Sequence, residues 1–170
     1  MYVWELFEMA PDFGYKHFID KDEEISKLKW EIHDEGKDGF IIKAVKSHYA
    51  PNLPSNMYGN YEGILIARPT DYTVVWDNGS FTQTGNNIQV TWVGISKRTK
   101  DYWVSTGLGQ MLYDKAIVDA KKAGYDNFIS DTTLTLKGKK AWQKLAQRYP
   151  VVKEFDESHK AYFKIDLSTI

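Results

Sequence analysis

Two glycines stand one residue apart in the stretch STGLGQMLYDKA, residues 105–116, directly before a run with helical periodicity. One capping residue is enough to start a helix, and Ser105 or Thr106 supplies it. Gly107 and Gly109 are then surplus, because glycine in the first turns costs ~0.5–1 kcal/mol relative to alanine. What they offer is a bare backbone. The first amides of a helix have no acceptor within it and sit at the positive end of its dipole, so glycines there let a phosphate rest against N–H groups. Lys97, Arg98 and Lys100 flank the turn with positive charge. The competing reading is that the glycines permit close packing of helix on sheet, and the residues alone leave both open.

The elements that must position this turn follow from hydrophobic periodicity. MYVWELF has the aromatic and branched residues of a first strand. DKDEEISKLKWEIHDEG predicts a helix, with Ile25, Leu28 and Ile32 at helical spacing, an acidic start and Gly36 as its stop. GFIIKAVKS reads as a strand and YAPNLPSNMYGN as a loop. EGILIAR and YTVVWD predict two strands joined at PTD, and NGSFTQTGNN a turn region in which NGS is a hairpin turn. IQVTWVGIS, residues 88–96, is a strand by its alternation and β-branching.

From Leu108 the period changes. Leu108, Met111, Leu112, Ala116, Ala120 and Ala123 lie on one helical face, Lys121 and Lys122 complement the dipole, and Gly124 ends the helix. YDNFISDT is a short strand. LKGKKAWQKLAQRY is a second helix, with Leu136, the stem of Lys140, Ala141, Leu145 and Tyr149 on its inner face and Pro150 as its stop. VVKEF and KAYFKIDL close the chain as a hairpin across DESH. The order predicts a mixed α/β fold, a single domain over residues 1–170, with a strand–helix–strand unit at its centre.

Composition narrows the chemistry. The chain has 170 residues, 42% of them hydrophobic, which is long enough and apolar enough to bury a core. A net charge of −1 gives no basic excess for a polyanion, which argues against a nucleic-acid partner. With no cysteine there are no disulfides, thiolate metal sites or cysteine nucleophile. The histidines at 17, 33, 48 and 159 fit no helical ligand spacing, so no metal is expected. Neither a signal peptide nor a membrane span is readable, and the expectation is a cytoplasmic protein with no membrane partner.

The run STGLGQMLYDKAIVDAKKAGYDNFISD, followed by KKAWQKLAQRY and a final hairpin, resembles the C-terminal half of the GNAT superfamily of acetyltransferases. The resemblance covers roughly residues 88–167, so that 88–170 would be the acyl-CoA-binding half and 1–87 the variable acceptor-side half. It implies a single mixed, mostly antiparallel sheet with flanking helices. It also implies acetyl-CoA as co-substrate, with its diphosphate at the glycine turn formed by Ser105, Thr106, Gly107, Leu108, Gly109 and Gln110. Lys97 and Arg98 would lie beside it, and the pantetheine arm would pass between two splayed strands. The thioester would lie along Val93, Gly94 and Ile95, its carbonyl oxygen on a backbone amide there. A valine at Gly107 is expected to fill the anion space and leave the unliganded fold intact.

The implied reaction is transfer of acetyl to an amine of a small molecule or protein. It requires a deprotonated nucleophile, and neutralising an ordinary alkylamine at pH 7 costs ~4–5 kcal/mol. Asp131 and Glu62 are the candidate bases, and the Ser130 hydroxyl lies beside the first in sequence. The chain departs from the family pattern twice. Val104 stands where a Gln or Arg is usual, and Trp142 replaces a tyrosine that protonates the departing thiolate, although an indole is a donor and no acid. Trp142 therefore reads either as a cofactor-site residue or as core filler. These departures support the alternative of a catalytically inactive GNAT-like binding or structural protein. The compact style is similar to acetyltransferase-like phage proteins, which extends the expectation to a viral protein in host cytoplasm, and a homodimer is compatible with it.

Overall fold

The computed structural model describes residues 26–46, 61–75, 81–95, 107–156 and 158–170. Their strands form one seven-stranded sheet: β1 (Leu28–Asp34), β2 (Phe40–Lys46), β3 (Gly63–Val75), β4 (Phe81–Ile95), β5 (Asn127–Ile129), β6 (Val151–Phe155) and β7 (Ala161–Asp166). Their spatial order is β1-β2-β3-β4-β5-β7-β6. Only β4 and β5 pair in parallel, across the crossover made by helix α1 (Leu108–Lys122), and the other neighbours are antiparallel. Helix α2 (Leu136–Leu145) joins β5 to β6. The expected mixed, mostly antiparallel sheet with its central strand–helix–strand unit is what forms.

Three elements differ from the reading of the sequence. Residues 28–34 are a strand, not a helix, paired along their whole length with β2. Leu28 and Ile32 are four apart, a spacing that suits one face of a helix and one face of a strand alike. Trp30 between them decides: it shares their face only in a strand, and it packs against the main core. Second, the two strands expected from EGILIAR and YTVVWD are, over Gly63–Val75, one strand with irregularities at Ile66/Ala67 and Thr70/Tyr72. Pro69 is tolerated there because β2 pairing ends at Ala67, leaving that side of β3 without a neighbour that needs its N–H. Third, Phe81–Asn87 extends β4 instead of forming a turn, and Gly85 and Asn86 together oppose Asp71 in a bulge with Asn86 at φ 59°. The opening MYVWELF, the loop 49–60 and the turn 76–80 lie outside the described residues.

The core lies between the sheet and the two helices. Phe40, Ile42, Leu65, Ala67, Ile88 and Val90 from the sheet meet Leu112, Ala116, Ile117 and Ala120 of α1 and Trp142 and Leu145 of α2. The buried face of α1 includes Tyr113 and Ile117, whereas Ala123 is exposed. On α2 the inner face is Trp142 and Leu145, and Leu136 and Lys140 point to solvent. A smaller cluster of Ile41, Ile64 and Ile66 occupies the opposite face of the sheet. Helix α1 ends in a Schellman motif: Gly124 at φ 84° donates to the Lys121 carbonyl, and Tyr125 N–H reaches the Ala120 carbonyl.

Candidate functional site

Strands β4 and β5 pair only from Asn87 to Gln89 and from Asn127 to Ile129. Beyond that point β5 stops while β4 runs on to Ile95, and a cleft of about 410 Å³ opens between them. Its walls are Val90 to Val93 of β4, Asp131 and Thr133 after β5, Gly109, Gln110 and Tyr113 of α1, and Thr135, Lys137, Gly138 and Ala141 at the start of α2. Among the described residues, the edge of β4 past Gln89 has no strand partner on the β5 side, since β3 pairs only the other edge. A second bulge sits in this stretch: Ile66 faces Trp92 and Ala67 faces Val90, so Thr91 is the extra residue. Its hydroxyl donates to the Ile66 carbonyl at 3.3 Å.

The two glycines at the start of α1 have separate purposes. Gly107 is the N-cap in the left-handed region, φ 84°, and has no side chain with which to cap the helix. The first ladder bond runs from Met111 N–H to the Gly107 carbonyl at 3.0 Å, so the amides of Leu108, Gly109 and Gln110 have no intrahelical acceptor. Gly109 has ordinary helical torsions and lines the cleft, and a Cβ built on it meets nothing within 4 Å. Close helix–sheet packing is therefore not their purpose. That need is met at Gly63 on β3, where a Cβ would stand 3.0 Å from Leu112 and 3.4 Å from both Leu108 and Ile95. Gly107 supplies a torsion, and Gly109 supplies room.

A polar network holds the cleft's α1 wall. The Gln110 amide nitrogen donates to the Ala141 carbonyl at 3.2 Å, and its oxygen accepts from Arg148 at 2.7 Å. Arg148 grips both oxygens of Asp114, which also accepts from Tyr149 at 2.9 Å. Tyr113 packs edge-on to Trp142 with ring centroids 5.8 Å apart. Burial pushes its phenol up to about 12, and the nearby Trp142 indole opposes only part of that. It remains a protonated donor throughout the physiological range.

The expected site residues divide accordingly. The cleft brings together Val93, Gly109, Gln110 and Asp131. Asp131 folds into a local turn in which Oδ1 accepts from both the N–H and the hydroxyl of Thr133, each at 3.1 Å. Ser130 is wholly buried, its hydroxyl accepting from Phe163 N–H at 2.9 Å and donating to the Asp131 carbonyl at 2.8 Å, which ties β5 to β7. Glu62 is also wholly buried, at the foot of β3, and is not in the cleft wall; its N–H donates to the Ala44 carbonyl at 2.7 Å. Leu108 points into a cluster with Leu28 and Ala44, so only its backbone faces the turn. Gly94 and Ile95 flank the cleft on β4, with Ile95 packed on the core. Trp142 is core: it is 1% exposed, stacked on Phe163 at 14° and 5.9 Å, and its indole N–H has no hydrogen-bond partner of ordinary geometry. Lys97, Arg98, Val104, Ser105 and Thr106 lie outside the described residues. Periodicity missed Tyr113, Thr135 and Lys137, whose place in the cleft depends on how β4 and β5 diverge.

Comparison with solved structures finds likenesses of fold at low sequence identity. The chain is similar to a complex titled KacTA–DNA, at 14% identity over 79% of this chain and 72% of that one, with a TM-score of 0.50. It is also similar to an acetyltransferase from Bacillus subtilis in complex with CoA, at 13% identity, 82% and 99% coverage and a TM-score of 0.49. An acetyltransferase of the GNAT family from Staphylococcus aureus Mu50 matches at 15% identity, 96% and 89% coverage and a TM-score of 0.46. The likeness at a TM-score of 0.50 bears on the fold alone. No family model matches the sequence, and no curated protein matches it. The splayed part of β4, β5 and the start of α1 belong to residues 88–170, for which the sequence resemblance carries the acyl-CoA expectation. No helix among the described residues is long and apolar enough to cross a membrane.

Proposed function

We propose that this chain is an acyl-CoA-dependent N-acyltransferase acting on an amine, with acetyl-CoA as the acyl donor. One observation carries the reading: the start of α1, where the amides of Gly109 and Gln110 have no intrahelical acceptor, opens onto a cleft formed by two diverging strands. An anionic diphosphate suits the amides, and a narrow flexible arm suits the gap. Bound there, acetyl-CoA supplies an activated thioester. The open space over Gly109 fits such a group, and filling it would not.

The chain's own residues then have distinct work. The free edge of β4 offers N–H groups to a developing oxyanion. Asp131 takes the proton from the attacking amine, directly or through water. As the new C–N bond forms and the C–S bond breaks, the sulfur leaves with the electron pair and is protonated from water. Tyr113, which keeps its own proton, contributes a hydrogen-bond donor in the cleft wall. A second reading, a GNAT-like binding protein without turnover, is favoured by Trp142, which fills core and presents no acid to the cleft.

The test combines thermal denaturation with free-thiol release. Acetyl-CoA at 100-fold over its Kd stabilises by ~2.7 kcal/mol if it binds only the folded state. Thiol release against polyamines, amino acids, aminoglycosides and lysine peptides rises with pH, and Asp131→Asn lowers kcat by roughly 10²-fold with little change in the thermal shift. Because a similar fold occurs in a complex with DNA, a DNA duplex belongs in the binding panel. Absence of any acyl-CoA stabilisation overturns the proposal, and stabilisation without thiol release favours the binding protein.

A further inference from the structure

One large aromatic residue faces solvent at the cleft. Trp92 is 58% exposed, although burying an indole is among the larger apolar gains open to a chain. Cross-strand partners fix its side of the sheet. Val90 and Val93 oppose Ala67 and Leu65, members of the core beneath the helices, whereas Trp92 and Gly94 oppose Ile66 and Ile64 of the cluster on the far face. The Thr91 bulge produces this phase, because without the extra residue Trp92 would fall on the helix side.

The indole's posture is set by a neighbour. A Cβ on Gly94 would lie 2.8 Å from Trp92 Nε1, so the ring rests along the strand over the one residue without a side chain. The cleft thus passes from Gly109 and Gln110 at the start of α1 on the helix side to a flat, exposed indole on the opposite side. Asp131 and Lys137 are the charged residues of its lining; Lys137 belongs to the first turn of α2, on the helix side.

We infer that Trp92 is the acceptor platform of the cleft, and that it selects amines carrying a second, non-reacting ammonium group. The inference rests on the acyl-transfer reading above. The attacking nitrogen must give up its proton, so it cannot keep a cation–π contact through the reaction. An indole rewards a charge that is retained, and Trp is the strongest of the aromatic partners for one. The carboxylate of Asp131 adds to the preference for cations over neutral acceptors. Diamines and longer polyamines are the acceptor class that meets both demands.

The experiment follows the Trp92 indole N–H in ¹⁵N-labelled protein, its signal assigned by its loss in Trp92→Phe. Addition of 1,4-diaminobutane should shift that signal, and 1,4-butanediol should not. In the thiol-release assay Trp92→Leu should raise KM for diaminobutane at least tenfold, change KM for butylamine less than threefold, and leave the acetyl-CoA thermal shift unaltered. An unmoved Trp92 signal in protein that acetyl-CoA does stabilise overturns this inference and leaves acyl transfer standing. Equal KM changes for diamine and monoamine overturn the second-ammonium preference. Absence of acetyl-CoA stabilisation overturns the acyl-transfer reading, and with it the role of any bound diamine as acceptor.

Discussion

Valine at Gly107 and valine at Gly109 ask different questions of the same turn. At φ 84° a β-branched side chain is strained whatever the space around it, so Gly107→Val costs the unliganded protein ~1–3 kcal/mol. This corrects the expectation that valine at Gly107 leaves the fold intact. Gly109 has helical torsions and open space, so Gly109→Val changes unliganded stability by less than ~0.5 kcal/mol, valine being no worse than glycine in a helix. Its branched carbon enters the cleft at the first turn of α1. The acetyl-CoA thermal shift should therefore vanish in Gly109→Val while its unliganded Tm holds. A variant that keeps the full shift would place the diphosphate elsewhere.

At the scale of elements, α2 is held to the sheet by one side chain above all. Trp142 meets Tyr113, Phe128 and Phe163 with ring centroids between 5.8 and 5.9 Å. Trp142→Ala should cost ~3–5 kcal/mol, whereas Trp142→Phe should cost ~1–2 kcal/mol, because losing ring volume is offset in part by removing a buried, unpartnered N–H. Urea denaturation checks this as a fall in midpoint at constant m-value, and Trp142→Phe should retain its acetyl-CoA shift. A folded Trp142→Phe that binds acetyl-CoA and loses all thiol release would return Trp142 to the site. The same elements show where the sequence was legible. Helix α1, the β4 core and the closing hairpin carry period and stop signals in their own residues. By contrast, α2 is legible as a helix but ends at Leu145, short of Pro150, with Leu136 and Lys140 of its expected inner face exposed. Strand β1 was not readable as such, because the Leu28–Ile32 spacing fits two periods and its pairing with β2 is a non-local fact. The continuity of β3 through Pro69 depends on where β2 ends. The glycine turn was visible as chemistry, but Tyr113, Trp92 and the separation of Glu62 from the cleft follow from strand divergence and a one-residue bulge.

At the scale of the whole molecule, stability against pH reports on a group far from any chemistry. Asp119 on α1 has a buried Oδ2 with no partner, and burial raises its carboxyl above the ordinary 3.8, with Lys122 and then Lys115 opposing the rise. An acid raised in the folded state binds its proton more tightly there than in the unfolded chain. The slope of unfolding free energy with pH is then negative through the window between the two pKa values, so the penalty is absent below 3.8, grows as pH climbs through the folded value, and is constant above it. At neutral pH the charged carboxylate therefore destabilises the fold. Asp119→Asn should raise Tm at pH 7, and the gain should shrink toward zero as pH falls to about 4. Taking the difference between variant and parent at each pH cancels the general positive charging of a chain with 22 Lys and Arg and four His. Tm measured for both proteins from about pH 4 to pH 8 decides the matter: a difference that stays constant across that range would show that Asp119 titrates no differently in the folded and unfolded chains, and a loss at pH 7 that fades toward pH 4 would show its carboxyl lowered by folding.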